Sequence, residues 1–160
     1  MALLCVLAGV CRAQGLELDG HRLGERLDNA LNDPRYDCGG VSACFLYTMC
    51  VLKEGPPPSL AGVPLASLKL HFAGEGLSAI EAQFAPDRFD RLTEMLIDKY
   101  GLGQATTGSA LSRAQDTAPN AVYLWHDGPR VLRLERWFRD TGRSSLIIAD
   151  RSFLSELVER

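Results

Sequence analysis

His71 stands two residues after Lys69, His126 is followed by Asp127, and Cys38, Cys44 and Cys50 share one short stretch. These are the side chains with chemistry to offer. A histidine beside a carboxylate can act as a general base, and a cysteine held as thiolate is a nucleophile or a metal ligand. If the strands carrying His71 and His126 were neighbours, the two rings would meet across a sheet. The plainer reading is that both are solvent-facing strand histidines. His21, close to Asp19, is a third histidine with no sequence partner beyond that carboxylate. The chain has no Gly-x-Ser-x-Gly elbow, no glycine-rich phosphate loop and no His-Glu-x-x-His pair, and Gly101-x-Gly103 reads as a helix end followed by a loop. No catalytic residue, cofactor or metal ligand is assigned from the sequence.

The cysteines are better read as a staple. From Ala43 to Leu52 the residues Phe45, Tyr47, Met49 and Val51 alternate along one face of a strand, which puts Cys44 and Cys50 on the other. Six residues of strand hold those two apart by about 20 Å, well past the ~7 Å reach of a disulfide, so Cys38 must be one partner. The Gly39-Gly40 pair lets the chain turn back toward Cys44, which favours Cys38–Cys44; Cys38–Cys50 requires a small hairpin. The remaining thiol is a candidate nucleophile, although only Lys53 is a local cationic neighbour and a buried strand cysteine is the simpler expectation. No Cys-x-x-Cys pair and no nearby histidine completes a zinc site.

The compartment follows from the first residues. Met1 to Cys11 is an unbroken apolar run ending in Cys11-Arg12-Ala13. It is too short to span a bilayer but fits the apolar region of a secretory leader, with cleavage after Ala13. The missing basic start suggests a leader truncated at its N-terminus. Leu7-Ala8-Gly9 comes near a lipobox, but Val10 stands where a small residue should precede the cysteine, so a lipid-free mature form is expected. Residues 14–160 then form a single domain, periplasmic or secreted, where disulfides persist. Seventeen basic against twenty acidic side chains, a formal charge of −3, give no basis for nonspecific binding to nucleic acid or anionic lipid.

The elements that must position these residues alternate between two periods. Leu23, Leu27, Ala30 and Leu31 repeat at helical spacing up to Pro34, and Pro56-Pro57-Pro58 forms an extended connector. Leu68, Leu70 and Phe72 alternate with Ser67, Lys69 and His71, and after a turn at Ala73–Gly76 the set Ile80, Ala82 and Phe84 returns as the second arm of a hairpin. Phe89, Leu92, Leu96 and Tyr100 stripe a helix that starts at Pro86 or Asp87, where Asp87 caps or complements the N-terminus, and ends at Gly101. Residues 101–120 read as a long surface loop. Val122–His126, Val131–Phe138 and Ser145–Ala149 are three strands joined by turns, and Ser152–Val158 is a closing helix. Hairpin followed by helix thus occurs twice, a pattern consistent with duplication. The expected fold is α+β, an antiparallel sheet of about six strands with two or three helices on one face. Arg130, Arg133, Arg136, Arg139 and Arg143, with Trp125 or Trp137, would suit a partner-binding ridge, against which both tryptophans can be core.

Leu60-Ala61-Gly62-Val63-Pro64, the hairpin ending near Phe84, Phe89-x-x-Leu92 running to Lys99-Tyr100-Gly101, and Leu124-Trp125-x-x-Gly128 with Leu132-x-Leu134 together resemble a loose group of small exported, periplasmic proteins of Gram-negative bacteria. The resemblance covers roughly residues 16–150. It implies export and little about activity, since that group is itself uncharacterised. Leu23-Gly24 also resembles the helix start of small outer-membrane assembly lipoproteins, from which the longer sheet and missing lipobox depart. The function expected is that of an exported noncatalytic envelope protein, binding a protein or another envelope component, with no stable membrane span. The alternative is a small secreted hydrolase or thiol-redox protein using His71, His126 or an unpaired cysteine.

Overall fold

The computed structural model describes residues 17–39, 47–53, 55–107, 120–138 and 142–158. The segment expected as a leader, Cys44, Arg139 and most of the expected loop after Gly101 lie outside the described residues. The fold is α+β. A short antiparallel pair, β1 (Glu17–Leu18) and β2 (His21–Arg22), leads to helix α1 (Leu27–Leu31) and strand β3 (Tyr36–Cys38). Next come β4 (Tyr47–Leu52), β5 (Ser59–Leu60), β6 (Val63–Ala73), β7 (Gly76–Phe84), a 3₁₀ turn (Pro86–Arg88) and helix α2 (Phe89–Tyr100). Strands β8 (Gln104–Thr107), β9 (Ala121–Asp127), β10 (Arg130–Glu135) and β11 (Ser144–Asp150) precede helix α3 (Arg151–Val158).

All strand pairs are antiparallel, in the order β3-β4-β6-β7-β11-β10-β9-β8, with β5 paired to the start of β6. Among the described residues the sheet has nine strands, three more than expected, because β3, β5 and β8 are short edge or flanking pieces with little apolar alternation. β8 in particular lies inside the stretch expected as loop, where Gln-Ala-Thr-Thr carries no alternating signal.

Alternation divides the sheet into two faces. On the first, a single cross-strand row runs Cys38–Cys50–Leu70–Ile80–Ile148–Leu132–Trp125. Phe89, Leu92 and Leu96 of α2 and Ala30 of α1 pack on that face and close the main core. Leu23 is buried there too, but as part of the chain entering α1, since Gly24 turns the backbone with φ +89° and the helix starts later than the apolar spacing suggests. α2 ends where expected but starts at Phe89, because Pro86–Arg88 form a 3₁₀ turn ahead of it; neither entry has a side-chain cap, so Asp87 contributes there only as a negative charge in that first turn. Gly101, at φ +79°, ends the helix while its N–H still bonds to Ile97.

The second face differs from expectation. α3 lays Phe153 and Leu157 against Ala79, Ile147 and Ala149, residues that alternate away from the main core. The helices therefore cover both faces, not one. This placement also bears on duplication: in an antiparallel sheet a two-fold relation between the halves keeps its helices on one face, whereas α2 and α3 lie on opposite faces. Burial on both sides explains why β11 reads as a continuous apolar run.

Trp125 is 6% exposed and donates its indole N–H to the Gly101 carbonyl at 2.8 Å. Gly103 crosses the same ring so closely that a Cβ there would meet indole carbons at 2.7 Å. Gly103→Ala is expected to cost about 1–3 kcal/mol in urea denaturation, the usual penalty of overpacking against a rigid neighbour.

Candidate functional site

The second face brings together the polar residues that alternation places between apolar ones. Lys69 of β6 and Glu81 of β7 are direct cross-strand partners, and His71 is the next residue on that face of β6. Lys69 Nζ lies 3.2 Å from Glu81 Oε1, His71 Nε2 lies 3.5 Å from Glu81 Oε2, and the Gln83 amide donates to Oε1 at 3.1 Å. His71 is 2% exposed and Glu81 4%. The face expected to be solvated is thus closed here. Tyr47 of β4 and Phe153 of α3 both approach the His71 ring, with centroids 5.9 and 6.1 Å away.

Burial alone would push the Glu81 carboxyl up. The imidazole of His71 and the ammonium of Lys69 outweigh it and hold the group at about 2. Glu81 is therefore a structural anion at neutral pH and a poor proton acceptor. The next row on this face runs Ser67–Gln83–Ser145–Glu135 across four strands. The hydroxyls of Ser67 and Ser145 are inaccessible and find no hydrogen-bond partner, as do both ring nitrogens of His71. Glu135 is held by Arg133 at 2.7 Å and by the Asn120 amide at 2.8 Å.

His126 does not join His71. The two occupy the same face and the same row, in register through Ala79, Ala149 and Val131. Four strand-to-strand steps, about 19 Å, separate them. His126 is exposed, and its Nδ1 accepts from Arg151 of α3 at 3.2 Å.

A second histidine cluster was not read from the sequence. His21 is 6% exposed; its Nδ1 faces Glu25 at 3.0 Å and its Nε2 faces the Tyr36 hydroxyl at 2.9 Å. A carboxylate only accepts, so Nδ1 carries the proton and Nε2 of the neutral ring accepts from Tyr36. The carboxylate–imidazole–hydroxyl order has the outline of a nucleophile relay. Its chemistry runs the other way, because burial, followed by the charge of Asp19, pushes the Tyr36 hydroxyl up to about 12 and keeps it a neutral donor. The four-residue spacing of His21 and Glu25 was the only signal available, and it belongs here to a turn, not to a helix.

The staple is Cys38–Cys50, not the favoured Cys38–Cys44. β3 and β4 pair so that Tyr36 faces Leu52 and Cys38 faces Cys50, which is the small hairpin that the less favoured pairing required. Cys50 is fully buried in the main core. The arginine ridge is not assembled: Arg133 is paired with Glu135 on the second face, while Arg136 pairs with Asp90 and lies 4.5 Å over the Phe89 ring on the first. Trp125 belongs to the core and Trp137 is half-buried.

Among the described residues no group of three or more His, Cys, Asp or Glu is placed to hold a metal ion, and no helix is long and apolar enough to cross a membrane. No protein family, characterised protein or solved structure matches the chain.

Proposed function

We propose that this protein is an exported, noncatalytic module of the bacterial envelope, periplasmic or secreted, that binds a protein or another envelope component. The observation that carries the reading is how the reactive side chains are spent. His71 is sealed beneath Tyr47 and Phe153 against a carboxylate held at about 2, and His21 is bonded on both ring nitrogens. Cys50 is bridged inside the core. Each of these groups contributes to holding the sheet and its N-terminal segment, and a substrate would have to unfold packing to reach them. A disulfide in a folded domain is the chemistry of an oxidising compartment, which supports export.

The test is mass spectrometry of the exported protein after alkylation, with and without reduction. The expected result is an N-terminus at Gln14, a Cys38–Cys50 bridge, and alkylation of Cys44 alone before reduction. Three alkylated thiols in the exported protein would overturn the oxidising-compartment reading. A Cys44 that reacts much faster than glutathione would replace the binding module with the thiol enzyme.

A further inference from the structure

β8 ends the sheet order, and no strand lies on its outer side among the described residues. Which of its backbone groups are open follows from β9. The Arg136 N–H bonds to the Ala121 carbonyl, so alternate residues of β9, namely Ala121, Tyr123 and Trp125, bond toward β10. The residues between them, Val122 and Leu124, therefore bond toward β8, to their partners Thr106 and Gln104. Ala105 stands opposite Tyr123 in a pair without hydrogen bonds, so its N–H and carbonyl point outward, as do those of Gly103 and Thr107 to either side. Among the described residues nothing bonds to these outward groups, and Ala105 is exposed.

The two ends of the sheet are not alike. β3 carries Asp37 within the strand and follows Arg35, which is paired with Asp33 and Asp19, and charges of this kind keep other strands off an edge. β8 reads Gln-Ala-Thr-Thr, with no charge and no proline. Leu102, just ahead of it, is 88% exposed, the most exposed large apolar side chain among the described residues. We propose that a second copy of this chain pairs with β8, strand to strand and antiparallel, about a two-fold axis beside Ala105. In that register Ala105 of each copy bonds to Ala105 of the other and Gly103 bonds to Thr107, so every outward group meets its counterpart through about six main-chain bonds. A patch that meets itself sets any charge it carries against its own kind. In a chain of net charge −3, β8 is an edge free of that obstacle. The paired strand also runs past the exposed Leu102. So short an edge buries well under the ~1,200 Å² of a standard interface, so the dimer is weak, with a Kd of about 0.1–1 mM. This assembly stands apart from the binding-module reading.

The experiment is sedimentation equilibrium of the full mature chain from about 10 µM to about 1 mM, after alkylation so that Cys44 cannot join two copies. Wild type is expected to shift from monomer toward dimer across this range. Ala105→Lys and Ala105→Glu each set like charges across the axis and are expected to weaken the dimer at least about tenfold. Their equimolar mixture sets lysine against glutamate and should dimerise at least as well as wild type. Both variants should keep the wild-type urea midpoint, because Ala105 is exposed. Ala105→Pro removes an outward N–H and no bond to β9, a position where an edge strand tolerates proline, and is expected to be monomeric as well. A wild type that stays monomeric at millimolar concentration overturns the proposal. So does dimerisation of A105K or A105E alone at wild-type strength. A mixture no better paired than either variant alone overturns it too, since the contact would then lie away from Ala105. The module reading falls separately, on the Cys44 reactivity measurement.

Discussion

Glu81→Gln is expected to cost about 2–3 kcal/mol of folding stability at pH 7 and to remove most of the acid sensitivity of the wild type. Glu81 is a buried anion shared by Lys69, His71 and Gln83, and the amide keeps its shape but not its charge. Removing one partner of a buried ion pair costs about 3–5 kcal/mol, and the lower figure here reflects the 30% exposure of the Lys69 side chain, which water can reach. For a protein of this size the melting temperature would fall by about 5–10 °C. The pH dependence has a definite sign. The folded carboxyl sits at about 2 against an ordinary 4.5, so the unfolded chain binds more protons between those values. The contribution, about 3 kcal/mol, is complete above pH 4.5 and disappears as pH falls toward 2. Urea denaturation at pH 7, 4 and 2.5 checks this: the wild-type and E81Q curves should converge at the acid end. A constant gap across the range would mean that Glu81 acts through shape and not through charge.

A companion variant separates stability from specificity. Replacing Lys69, His71 and Glu81 together by apolar residues of similar size removes charges and unsatisfied nitrogens at once, and such exchanges of buried ion pairs are often neutral or stabilising. The cost of E81Q is therefore largely the cost of stranding its partners.

The sequence showed which residues share a face but not what covers each face. Leu68, Leu70 and Phe72 had to point together, and so did Ser67, Lys69 and His71; both statements hold in the structure. The inference that the second set is solvated failed because α3 covers part of it. An amphipathic helix at the chain end carries one apolar stripe and no record of which side of the sheet receives it. The same gap hid the cysteine pairing. Cys38 was identified as an obligatory partner by distance along the strand, but the choice between Cys44 and Cys50 required the register of β3 on β4, which two short strands with a glycine-rich connection do not encode in their apolar pattern. His21 and Tyr36 meet side chain to side chain between β2 and β3, which share no ladder, so no strand register in the apolar pattern recorded their contact.

Reduction of the Cys38–Cys50 bridge is expected to lower stability by about 2–4 kcal/mol, and the loss should begin at one edge of the sheet. The bridge closes a loop with a sequence separation of 12, for which loop-closure entropy in the unfolded chain amounts to about 3 kcal/mol. β3 is a three-residue strand at the end of the sheet order, held otherwise by its pairing with β4 and by Tyr36, whose hydroxyl reaches His21. Once the bridge opens, this edge has few contacts of its own, whereas β7 and β11 sit in the middle of the sheet with both faces buried. Hydrogen exchange after reduction should therefore show β3 and β2 losing protection before β7 and β11, alongside a lower urea midpoint. Cys38→Ala with Cys50→Ala should reproduce both effects. Cys44→Ser should reproduce neither, because Cys44 is not part of the bridge, and a C44S protein that behaved like the reduced one would return the staple to Cys38–Cys44. Uniform loss of protection across all strands would show instead that the bridge acts on the unfolded chain alone, with the β3 edge held firmly by its own packing.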